Sequence, residues 1–171
     1  MDALPNRGNN IDSMVKELWR LIKMLFTTYP SDFVYKDLEV VEMKHFPFKG
    51  FKAMAWCGRI IHRTGSSEVN GVTMNHEKIH VAQAMLCDDS WVRYYFAYLW
   101  EWLKRGFLAP MTANYYCSKF ESEAYANEGN FDYLKDYSPA STEKYNIKNA
   151  KKLYKQLGGT SNAWKKYVKS L

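Results

Sequence analysis

The chain has 171 residues, 47% hydrophobic, 25% charged and 16% aromatic, with a formal net charge of +6. These are globular averages, which exclude a disordered, collagen-like or low-complexity protein and set the expectation of one domain. The positive charge is local: residues 141–171 hold eight lysines against Glu143 alone, so the body is no general polyanion binder.

No run of about 18 uncharged apolar residues occurs, so no membrane-spanning helix is expected. Met1–Asn6 is polar and lacks the apolar segment of a signal peptide, and residues 1–10 are expected to be disordered. Cys57, Cys87 and Cys117 lack paired spacing. They read as small buried hydrophobes in a reducing, cytoplasmic setting rather than as a disulfide framework.

Taken in chain order, residues 12–27 form the first expected helix, with Asp12 as N-cap, Met14, Leu18, Leu21, Ile22 and Leu25 as its apolar stripe, and Pro30 closing it. Residues 38–45 and 51–63 read as two strands around a Pro47–Gly50 turn, and residues 64–67 as a further turn. Thr73 can cap a helix to about Leu86, and Asp89 or Ser90 a second one ending at Gly106. The second is rich in aromatics from Trp91 to Trp102, which read as core plus an amphipathic rim. After Pro110 and Thr112, a third helix is expected from Ala113 to Asn127, with Ala113, Tyr116, Cys117, Phe120, Ala124 and Phe131 as its stripe. Two lysine-rich helices, 146–157 and 161–168, follow around Gly158-Gly159. Ile147, Ala150, Leu153, Tyr154 and Leu157 form an apolar stripe opposite the lysines, so this basic extension is expected to pack on the body. The fold class is therefore α+β: an N-terminal helix and small sheet, then a helical body.

Chemistry concentrates in Met74–His80, which contains His76-Glu77-Lys78-Ile79-His80, an HExxH pattern. On a helix, His76 and His80 lie about 40° apart and about 6 Å along the axis, so both imidazoles leave one face and can grip one metal. Glu77 is offset by about 100°, within reach of a metal-activated water without ligating, and is the expected catalytic acid/base. Gln83 shares the histidine face, and Asn75 adjoins it; both are candidates to orient a ligand.

A zinc site needs a third protein ligand. Cys87 sits seven residues past His80, about 10 Å along the helix, too far to close the same tetrahedron. His45 and His62 are weaker candidates. Glu121 and Glu123 flank the apolar stripe of the third helix on opposite sides, and periodicity does not choose between them.

The order HExxH and then a helix with ExxA resembles the gluzincin metallopeptidases. The resemblance implies a zincin-like fold with Zn2+ held by His76, His80 and Glu121, Glu77 catalytic, and Ala124 as the small residue that lets two helices approach. The chain departs from the pattern at Tyr125, where such families often carry Asp or Asn. Asn75–Gln83, Trp91–Leu103 and Phe120–Glu128 also resemble a group of small bacterial zincin-like proteins. The function implied is zinc-dependent hydrolysis of peptide or amide bonds, with a peptide or protein as substrate. Tyr115, Tyr125 and His62 have the chemistry of an oxyanion donor, and Phe51–Arg63 is the candidate edge strand for an extended substrate. Two other readings compete: a non-catalytic zincin-like module whose metal is structural or vestigial, and a peripheral membrane or nucleic-acid binder acting through the C-terminal lysines. No nucleic-acid-binding signature favours the last, so no nucleic acid is expected.

Overall fold

The computed structural model describes residues 7–26, 36–104 and 113–171. Pro30, Gly106, Pro110 and Thr112, each read above as a boundary, lie outside the described residues, as do Met1–Asn6. The fold is mixed α+β, helical apart from one small sheet. The chain groups into two compact units, residues 1–70 and 71–171.

The first unit carries α1 (Arg7–Met24) and strands β1 (Val40–Met43), β2 (Ala53–Trp56) and β3 (Arg59–Arg63). Helix α1 begins earlier than expected, so Arg7–Asn10 is helical rather than disordered. Its stripe is also only partly buried: Leu21 is buried, whereas Met14 and Leu18 are 44% and 47% exposed. The reason is length. Eighteen helical residues span about 27 Å, whereas strands of four or five residues span about 15 Å, so the sheet covers only part of the helix. The C-terminal half of α1 is pinned by Trp56, whose indole donates to the Leu21 carbonyl at 2.9 Å, and by Glu17, which accepts from the backbone N–H of Lys44 and His45.

The segment expected to be one strand over 51–63 is a hairpin. It turns at Cys57 and Gly58, with φ of 50° and 74°. Two consecutive positive φ values are what a two-residue hairpin turn of the right twist requires, and glycine supplies the second without strain. Strand β3 is the centre of the order β1-β3-β2, parallel to β1 and antiparallel to β2. Ile60 and Ile61, which point to opposite faces, are both fully buried. Phe51–Arg63 therefore does not serve as one edge strand: β3 is paired on both sides, and within this segment β2 alone lies at an edge of the sheet among the described residues.

The second unit opens with α2 (Gly71–Gln83), two residues ahead of the expected Thr73 cap, and tightens into a 3-10 turn at Ala84–Cys87. Helix α3 (Trp91–Lys104) starts behind Ser90, whose hydroxyl accepts from Arg93 N–H. Trp91 and Tyr94 are buried, but Val92, Phe96, Leu99 and Trp100 are exposed, so one aromatic face of α3 is rim rather than core.

The third expected helix is two: α4 (Ala113–Tyr116) and α5 (Lys119–Asn127). Ser118 adopts an extended backbone and caps α5, its hydroxyl accepting from Glu121 N–H at 3.1 Å. The pattern Ser118-x-x-Glu121 is a capping-box signature, and it breaks the helix here. The break also disrupts the stripe: Phe131 is exposed, and Glu121 and Glu123 are both fully buried instead of flanking at the edges.

A 3-10 segment (Pro139–Tyr145), unexpected from the sequence, precedes α6 (Ala150–Gln156) and α7 (Ser161–Val168). Ala150, Tyr154, Trp164 and Val168 bury against Cys117, with Ile147, Leu153 and Leu157 partly buried beside them. The basic extension is thus anchored by its apolar face. The three cysteines form no disulfide, and among the described residues no helix is long and apolar enough to cross a membrane.

Candidate metal centre

Helices α2 and α5 pack against each other, with the fully buried Ala124 on α5 permitting close approach. That contact brings His76, His80 and Glu121 together, all buried, with their ligating atoms within 4.8 Å of one another. His76 Nε2 lies 3.2 Å from His80 Nε2 and 3.5 Å from Glu121 Oε2, and His80 Nε2 lies 3.3 Å from the other carboxylate oxygen, Glu121 Oε1. Ligands about 2.0–2.2 Å from one tetrahedral ion are separated by about 3.3–3.5 Å, so the two nitrogens and the carboxylate are spaced much as such a shell requires.

The outer hydrogen bonds say which nitrogens carry protons. His80 Nδ1 is 2.8 Å from Gln83 Oε1, and the Gln83 amide is oriented by its other end, whose Nε2 donates to the Phe120 carbonyl (2.9 Å) and to Glu123 Oε2 (2.8 Å). Oε1 only accepts, so His80 Nδ1 must be N–H. His76 Nδ1 faces Glu128 Oε2 at 3.3 Å and must likewise donate. In the neutral rings both Nε2 atoms then present lone pairs, 3.2 Å apart and beside a carboxylate. Two lone pairs and a carboxylate converge, and among the described residues no donor lies between either Nε2 atom and Glu121; one cation resolves this. Glu121 Oε2 adds a second sign: it is buried without a hydrogen bond. The group can hold a metal ion.

Without an ion, protons fill the space. Burial opposes an imidazolium at His76, but the carboxylates of Glu121 and Glu128 beside it outweigh burial and push its pKa up to about 10. His80 is also raised, against burial, by the Glu121 charge. Glu121 is held well below the usual carboxylate range because the two histidines overcome its desolvation.

Glu121 does not reach back to close the capping box, as the Ser118 N–H is taken by the Tyr115 carbonyl. Its carboxylate is held toward the histidines instead, with Tyr98 donating to Oε1 at 2.5 Å. Glu123 points elsewhere, accepting from Gln83 and, at 2.8 Å, from Tyr133. Burial raises its pKa. Asn75 donates to the carbonyls of Asn127, Glu128 and Asn130, tying α2 to the end of α5. Glu77 is 7% exposed and makes no hydrogen bond or ion pair among the described residues.

Tyr125 lays its ring against His76, centroids 4.6 Å apart. Its hydroxyl, and that of Tyr115, stay protonated because burial and the Glu121 charge raise both pKa values. His62 belongs to the first unit, where its ring meets Glu42 at 3.0 Å, Ser66 at 3.0 Å and the Ser67 carbonyl at 3.1 Å. His45 is held there by Glu17 and Asn10. Cys87 lies outside the cluster.

Sequence reasoning missed Glu128, Tyr98 and Lys169. Glu128 was findable: it follows Glu121 by seven residues, two helical turns along the same stripe. It supplies the anchoring carboxylate that Tyr125 lacks, and Lys169 in turn holds its other oxygen at 2.9 Å. Burial of Glu128 is outweighed by His76 and Lys169, which lower its pKa. Comparison of the chain with protein-family models, curated proteins and solved structures finds no match, so the site is read from its own geometry.

Proposed function

We propose that the chain is a zinc-dependent metallopeptidase or amidohydrolase of the zincin type, acting on a peptide or protein substrate. One observation carries the reading: three lone-pair donors converge at tetrahedral spacing beside a buried, unengaged Glu77. His76, His80 and Glu121 would hold the ion, and zinc suits this mixed nitrogen and oxygen set. When bound, it supplies Lewis acidity, drawing the pKa of water toward neutrality and polarising a substrate carbonyl.

The rest is the work of the chain. Glu77 accepts the proton of the attacking water and returns it to the leaving amine. Gln83 and Glu128 fix the tautomers of His80 and His76, and Tyr98 fixes the Glu121 carboxylate. Tyr115 and Tyr125 are protonated phenols, suited to donate to the oxygen on which charge develops. A reducing cytoplasm is the setting proposed, in keeping with three cysteines and no disulfide. Of the eight C-terminal lysines, Lys169 is engaged by Glu128 beside the histidines rather than free for a polyanion.

The test is Glu77→Gln. Hydrolysis of a mixed peptide library, read by mass spectrometry, should fall by about a thousandfold or more while zinc content stays unchanged. Cleavage unaffected by the substitution would remove Glu77 from the reaction and overturn the reading, and cleavage absent from the zinc-loaded wild-type chain as well would indicate a non-catalytic module with a structural metal.

A further inference from the structure

Helix α7 brings a second lysine to the centre. Lys165 Nζ sits 3.8 Å from the Tyr125 ring centroid and 5.8 Å from that of Tyr116. The Tyr125 ring in turn lies against His76. Laid end to end, the two centroid distances put the ammonium no more than about 8.4 Å from the ring of a metal-binding histidine. Unlike Lys169, Lys165 has no carboxylate partner and no hydrogen bond among the described residues. It is half-buried, and Trp164 beside it is fully buried and anchors α7 in the core.

Burial outweighs the charges of Glu128 and Glu121, which favour the Lys165 ammonium, and no carboxylate pairs with it directly among the described residues. Aromatic faces offset part of the cost of burial but leave its N–H donors unused. Its neighbour Lys169 neutralises Glu128, so that carboxylate is not available to Lys165 in the same way. An anion arriving with the substrate would complete the pair.

We propose that Lys165 recognises a carboxylate of the substrate, one or two residues to the C-terminal side of the bond that is cut. A peptide residue spans at most about 3.6 Å, so a span of one or two residues matches the reach from the centre to Lys165. The carboxylate is either a free chain terminus or an Asp or Glu side chain. Lys165 is thus a specificity-determining residue, and this inference rests on the hydrolase reading above.

The experiment separates binding from turnover. In the zinc-loaded, full-length Glu77→Gln chain, acetyl-dialanine and its C-terminal amide are titrated by calorimetry, with and without Lys165→Met or Lys165→Arg. The free acid should bind about tenfold more tightly than the amide, as a charge-assisted hydrogen bond implies. Lys165→Met should abolish that preference and Lys165→Arg should keep it. Peptides amidated at the terminus but carrying Glu near it form the second arm. If they regain tight binding the carboxylate comes from a side chain, and if they do not it is the chain terminus. Equal binding of acid, amide and Glu-bearing peptides, binding of none of them, or a preference that survives Lys165→Met would overturn the proposal. A failed Glu77→Gln hydrolysis test with the Lys165-dependent preference intact would overturn the hydrolase reading and the placement relative to a cut bond, leaving carboxylate recognition by Lys165 itself standing, since these titrations involve no cleavage.

Discussion

His80 and Glu123 never touch, yet one side chain sets both: Gln83 accepts from His80 Nδ1 through its oxygen and donates to Glu123 through its nitrogen, each at 2.8 Å. Gln83 is fully buried, and all four of its hydrogen-bonding positions are accounted for, the others by Tyr94 and the Phe120 carbonyl. A fully satisfied amide of this kind fixes which nitrogen of His80 faces His76 and Glu121. It also fixes why Glu121, and not Glu123, faces the histidines.

Replacing Gln83 with Leu leaves His80 Nδ1, Glu123 and the Phe120 carbonyl without their partner in the interior. Each such loss costs about 1–3 kcal/mol, so urea denaturation should show a loss of about 3 kcal/mol or more. Gln83→Glu, which keeps an acceptor for His80 but places a carboxylate against Glu123, should also destabilise the fold.

Glu128→Gln should leave the fold intact and weaken metal binding by about 10–100-fold in a chelator competition, because the anchor on His76 loses its charge. Lys169→Ala should act in the same direction and more weakly, since Lys169 is half-exposed and touches the carboxylate rather than the ring.

Removing the metal should lower the melting temperature, and adding zinc back should restore it, because ligands on both α2 and α5 link ion binding to the packing of these helices. The metal requires deprotonated histidines, so the shift should shrink as the pH is lowered.

Glu17 in the first unit provides an independent pH test. Partial burial opposes its charge, but the backbone N–H groups of Lys44 and His45 outweigh it and lower its pKa below 4.5. A carboxyl lowered in the folded state adds stability that is present above its unfolded value and lost as the pH falls through its folded one. Stability should therefore drop below about pH 4.5, and Glu17→Gln should flatten that part of the profile.

Much of the centre was legible in sequence because one helix carries most of it. His76, Glu77, His80 and Gln83 all follow from a 3.6-residue period, and tertiary structure left that period intact. Glu121 needed more. Its burial depends on the break at Cys117-Ser118, and a continuous helix over 113–127 places it at an edge. The Ser118-x-x-Glu121 cap was a local signal of that break. Lys165 and Lys169 come from more than 35 residues beyond Glu128, on a helix whose position is set by the burial of Trp164 and Val168. No periodicity links such segments. The sheet was misjudged for a different reason: Cys57 occupies a left-handed turn position where Asn is usual, so 51–63 read as one strand.

The most direct measurement is zinc content per chain by elemental analysis of wild type, Glu121→Ala and Glu123→Ala. The expected values are about one, near zero and about one, since only Glu121 faces the histidines. A wild-type chain that takes up no divalent metal, or a Glu121→Ala variant that still holds a full equivalent, would contradict the convergence of His76, His80 and Glu121 on one ion.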